Sequence, residues 1–136
     1  MIGRYILIFS IFLFCFSIVS CIEQSTNDAS KSYELWAGEK PGHGVWAIHG
    51  KYWQSAHFTK EYITYLELSV VPRWKADYIA QNKLTISADS TFSISDGPNW
   101  FKPKKPYRIW KQNGNTQLLC VEELASSHIF LFEAQL

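Results

Sequence analysis

Apolar positions are unevenly spread along this chain, and their spacing changes character several times. Arg4 is followed by Tyr5 to Ile22, eighteen residues without a charge. Ile22 to Ser32 (IEQSTNDASKS) is polar and aperiodic, which predicts a flexible tether over residues 21–32. A single globular domain is then expected over residues 33–136, opening at Tyr33-Glu34-Leu35-Trp36.

Within that domain a period of two dominates, so strands are expected. After the turn cluster Lys40-Pro41-Gly42-His43-Gly44, Val45 to Trp53 alternates. Trp46, Ile48 and Tyr52 share one face, and His49, Lys51 and Trp53 the other; a bulge at Gly50 would shift this register. Trp46 and Trp74 are assigned to the core by position. Glu61 to Val71 (EYITYLELSVV) is apolar on both faces, as a central strand should be. Pro72 then suits the first turn of a helix over Arg73 to Asn82, because proline has no N–H to leave unpaired there. Asn82 is the expected left-handed terminator. Leu84–Ser87 and Thr91–Ser95 predict short strands around a turn, and Asp96 to Pro106, with three prolines, a loop. Asn113-Gly114 predicts a two-residue hairpin turn with both residues at positive φ. That register pairs Gln112 with Asn115, Ile109 with Leu118 and Tyr107 with Cys120, placing Tyr107, Ile109, Leu118 and Cys120 on one buried face. His128 to Gln135 is the last strand. The expected fold is therefore α+β: a mostly antiparallel sheet of 5–6 strands with one packed helix, or alternatively a small all-β barrel with a helical insertion.

The N-terminal run changes the picture of the whole molecule. One positive charge, an apolar stretch and small residues have the layout of a secretory signal. The run also reaches the lower limit for a membrane-spanning helix. Ile18-Val19-Ser20-Cys21 resembles the lipobox of bacterial lipoproteins. That resemblance covers residues 1–21 only. It implies a signal peptide over residues 1–20, a diacylglyceryl thioether on Cys21, cleavage before Cys21, and a membrane partner bound through the lipid. An ordinary cleaved signal and an uncleaved anchor are the alternatives. Each places the domain outside the cytoplasm, and lipidation would hold it on the bacterial cell membrane or outer membrane.

The chain has 13 Lys+Arg, 12 Asp+Glu, 4 His and 3 Cys among its 136 residues. Its near-neutral balance argues against nucleic acid as a partner. Losing residues 1–20 removes Arg4 and Cys15, leaving Cys120 as the sole cysteine besides the anchor, so no internal disulfide can form. Cys120 sits in Leu118-Leu119-Cys120-Val121 and reads as a core thiol rather than a nucleophile. Charge is nevertheless segregated. Pro98 to Lys111 holds Lys102, Lys104, Lys105, Arg108 and Lys111 with no acid, whereas Gln112 to Leu136 holds three acids and no base.

No catalytic, phosphate-binding or metal motif is present, and no cofactor is expected. The candidate binding residues are His49, Trp53, Trp100, Phe101, Lys102, Lys104 and Lys105, aromatic and basic groups suited to a protein or glycan partner. The competing reading is a solvated loop whose aromatics fold back over the core. An enzymatic alternative, a small hydrolase or metal-dependent enzyme, would need His43, His49 and His57 to converge.

Overall fold

A computed structural model describes residues 22–57, 59 and 61–136. The expected signal peptide and Cys21 lie outside these residues. Seven strands form one antiparallel sheet: β1 (Gln24–Thr26), β2 (Val45–Gln54), β3 (Tyr62–Val70), β4 (Leu84–Ile86), β5 (Tyr107–Gln112), β6 (Asn115–Glu123) and β7 (His128–Gln135). Their order is β1-β2-β3-β7-β6-β5-β4, an open sheet and not a barrel. Two helices, α1 (Ala29–Ala37) and α2 (Pro72–Gln81), accompany it. The α+β class stands, with seven strands in place of 5–6 and two helices in place of one.

The extra elements come from the stretch expected to be a tether. β1 pairs with β2, and Asp28 caps α1 by accepting from the Lys31 N–H. Ser32 and Tyr33 are buried. The sequence pattern misses this helix because its contact with β2 is made by small residues. A Cβ on Gly50 would lie 2.6 Å from Ser32 Cβ, so Gly50 is needed for close helix approach and is not a bulge. The bulge in β2 falls two residues earlier, at Ile48 between Ala47 and His49.

Each face of the sheet carries its own core. On one face α1 and α2 cover Val45, Leu66, Leu68, Val70, Cys120, Ile129 and Leu131, with Tyr33 and Tyr78 from the helices packed against them. On the other, the irregular segment 87–106, here termed the strap, covers Tyr65, Ile109, Leu119, Val121 and Phe130. Each large side chain buried in this way contributes roughly 1.5–3 kcal/mol. Central β3 supplies both cores, Leu66 and Leu68 to the helices and Tyr65 to the strap, as its two-faced pattern predicts.

Three further expectations are corrected. Thr91–Ser95 is part of the strap, where Phe92 and Ile94 pack onto the second core instead of pairing as a strand. The left-handed residue after α2 is Lys83 (φ 52°), while Asn82 caps the helix through its side-chain N–H to Tyr78 O. In the β5–β6 hairpin Gln112 does oppose Asn115, and of the two turn residues only Gly114 is left-handed. The register then shifts, so Trp110 opposes Cys120 and Ile109 opposes Val121. An odd shift transfers every side chain to the other face. Leu118 and Cys120 therefore join the helix-side core, away from Ile109 and Tyr107.

Candidate functional site

β3 carries one acid amid apolar residues. Glu67 is 9 % exposed and points to the strap side, as an odd-numbered position of that strand. Burying a carboxylate is costly unless its oxygens are hydrogen-bonded. Two histidines meet this need: Glu67 Oε2 lies 2.7 Å from His49 Nδ1, and Oε1 lies 2.7 Å from His128 Nδ1. A carboxylate only accepts, so each Nδ1 carries the proton and Nε2 is the nitrogen left over on each ring. The β2 bulge makes this possible. It gives the strand an extra residue at Ile48, which places His49 on the same face as Trp46 and opposite Glu67.

His49 also clamps the strap. Its ring stacks on Trp100, centroids 5.2 Å apart and planes 18° from parallel. The next residue, Phe101, plunges into the second core at 6 % exposure, edge-on to Tyr65 and Phe130. Beyond this clamp the strap carries Lys102, Lys104 and Lys105 over the ends of β6 and β7. Together with Glu67, Trp100, Glu123 and His128 they line an open cleft of about 520 Å³.

The acids and lysines of this cleft form no ion pairs with one another. Glu123 Oε1 accepts from the Lys104 backbone N–H and Oε2 from Ser126 Oγ. With Glu67 held by two histidines, all four carboxylate oxygens of the cleft are engaged by groups other than lysine ammoniums. Among the described residues Lys102, Lys104 and Lys105 form no ion pair; Lys105 Nζ sits 5.9 Å from the Tyr107 ring centroid. The arrangement offers three cations, the His128 imidazole and the Trp100 indole to whatever enters.

Five of the seven candidate residues thus come together: His49, Trp100, Lys102, Lys104 and Lys105. Phe101 does not belong with them, because it is core. Trp53 lies further along β2 opposite Ile63, and its indole N–H donates to Glu23. His43 precedes β2 and His57 follows it, so a strand of 10 residues separates them, roughly 30 Å of chain. The three histidines do not converge, and among the described residues no group of three His, Cys, Asp or Glu side chains is placed to hold a metal ion. His49 instead meets His128, which sequence reasoning missed along with Glu67 and Glu123. A lone acid in an apolar two-faced strand was the available signal. Trp46, assigned to the core, is 57 % exposed.

Elsewhere the polar groups are consumed internally. On the helix side Glu122 takes Lys75, the Trp110 indole N–H (2.9 Å) and Arg108. Burial alone would raise its pKa, but these partners together hold the carboxyl below its ordinary value. Glu133 accepts from the Trp36 indole and from Tyr62, whose own pKa is driven up by burial and by that carboxylate. Cys120 is fully buried, and burial pushes its thiol up to about 12, so it is no nucleophile. Another cavity, of about 590 Å³, lies between the strap and the β5–β6 hairpin. Its only cation, Lys111, is already paired with Asp89 at 2.8 Å.

Comparison with protein-family models, with curated proteins and with solved structures finds no match for this chain.

Proposed function

We propose that this chain is a lipid-anchored binding module of the bacterial envelope, held by Cys21 and receiving an anionic partner in the strap cleft. The partner is an envelope protein or glycan, and nucleic acid is not expected. The observation that carries this reading is a surplus of positive charge: three lysine ammoniums that form no ion pair among the described residues outnumber the two carboxylates of the cleft, which take their hydrogen bonds from other groups. Removing a lysine pair's partner leaves a solvated cation that gains by meeting an anion, and such a cluster also speeds encounter with acidic ligands.

The test uses the full chain in detergent and measures binding of acidic polymers. Changing Lys102, Lys104 and Lys105 together to alanine should lower affinity at least about tenfold and flatten its salt dependence. Unchanged binding would remove the cleft as the site. The anchor is tested in bacterial cells: Cys21→Ser should abolish lipid labelling and leave a larger, unprocessed species. Normal processing of that variant would show an ordinary signal peptide instead.

A further inference from the structure

The strap-side face of the sheet continues beyond the cleft. Cross-strand pairing sets Trp46, Ser69 and His128 side by side on β2, β3 and β7. Adjacent strands are about 4.8 Å apart, so Trp46 stands roughly 10 Å from the cleft's edge at His128. Between them Ser69 Oγ and Ser127 Oγ share a 2.8 Å hydrogen bond at the surface. Trp46 is 57 % exposed although it is paired within the sheet, near the start of β2 and just before its bulge, and tryptophan is usually well covered. The row therefore reads, from β2 inward: an open aromatic ring, two hydroxyls, an imidazole and three ammonium groups.

We infer that this row binds an acidic oligosaccharide, one sugar ring stacked on Trp46 and the carboxylate of a neighbouring sugar held by the strap lysines. The inference rests on the proposed anion-binding role of the cleft and names the chemistry of its ligand. A sugar ring presents an apolar C–H face, a rim of hydroxyls and, in a uronic acid, one carboxylate. Trp46, the Ser69–Ser127 pair and the lysines match these in that order. An acidic peptide would use the lysines equally well but has no use for a flat exposed ring flanked by hydroxyls. The ring also costs solvation where it stands, so it gains most from a ligand that covers it.

The experiment measures binding of polygalacturonate, polyglutamate and neutral dextran to the full chain in detergent, for wild type, Trp46→Ala, Trp46→Phe and the lysine triple variant. The expected result is that polygalacturonate binds and dextran does not. Trp46→Ala should weaken polygalacturonate about tenfold, the loss typical of an aromatic anchor, and Trp46→Phe should restore part of it. Polyglutamate binding should ignore both Trp46 variants, whereas the lysine variant should lose both acidic polymers. Equal polygalacturonate affinity in wild type and Trp46→Ala would overturn the saccharide inference and leave the anionic cleft standing. Tighter binding of polyglutamate than of polygalacturonate would overturn it in favour of an acidic protein partner. Full retention of acidic polymers by the lysine variant would overturn the cleft itself. Because Trp46 is exposed, its replacement should leave the unfolding transition in place, which separates lost binding from lost fold.

Discussion

The two faces of the sheet handle charge in opposite ways. On the helix side, buried acids are matched by partners within the fold: Glu122 with Lys75, Arg108 and Trp110, and Glu133 with Trp36 and Tyr62. On the strap side the acids are satisfied by histidines, a backbone N–H and a serine, which leaves the lysines over. A charge matched internally stabilises the fold; one left over is available to another molecule. This difference is the reason the proposed function is assigned to the strap side, and the contrast can be tested from the strongest perturbation to the weakest.

Leu66 is fully buried in the helix-side core, so Leu66→Ala should cost about 2–5 kcal/mol, read from urea unfolding. Next comes Glu122→Gln, which removes the charge that satisfies Lys75 and Arg108 beneath α2 and should cost about 1–3 kcal/mol at neutral pH. Its pH signature is distinctive. The folded carboxyl is held below the ordinary value of 4.5, so its stabilisation is present above that pH and fades as pH falls through the lower, folded value. The variant should lack that component of acid destabilisation, so its stability should fall less steeply below about pH 4.5. At the bottom of the scale, the strap-lysine triple variant should move stability by no more than about 0.5 kcal/mol while abolishing binding. A large loss of stability there would erase the contrast between the faces.

How much of this was legible in the sequence depends on range. β3 could be read because Tyr65, Leu66 and Leu68 alternate within one local run. The lysine cluster could be read because Lys102, Lys104 and Lys105 are neighbours in the chain. The hairpin was half legible: Asn113-Gly114 marks the turn, but the register shift beyond Gln112 depends on how β6 lies against β7, where Leu119 meets Phe132. The Glu67–His128 contact joins residues 61 apart through the β3–β7 pairing, and no local pattern encodes it. α1 was missed for a related reason. Its burial depends on Ser32 fitting against Gly50, and neither residue registers in a hydrophobic pattern.

The pairing of β1 with the far end of β2 has a consequence for reach. Gln24 lies opposite Gln54, so only Ile22 and Glu23 separate Cys21 from the sheet. Under the proposed anchoring, three residues of chain span at most about 10 Å, and the domain rides on a short lead. His49 lies five residues back along β2 from that end, roughly 16 Å away, about twice the distance over which charge is felt at physiological salt. The lysines would therefore be screened from the headgroups beside their own anchor. Their field would be spent on molecules that approach from across the envelope.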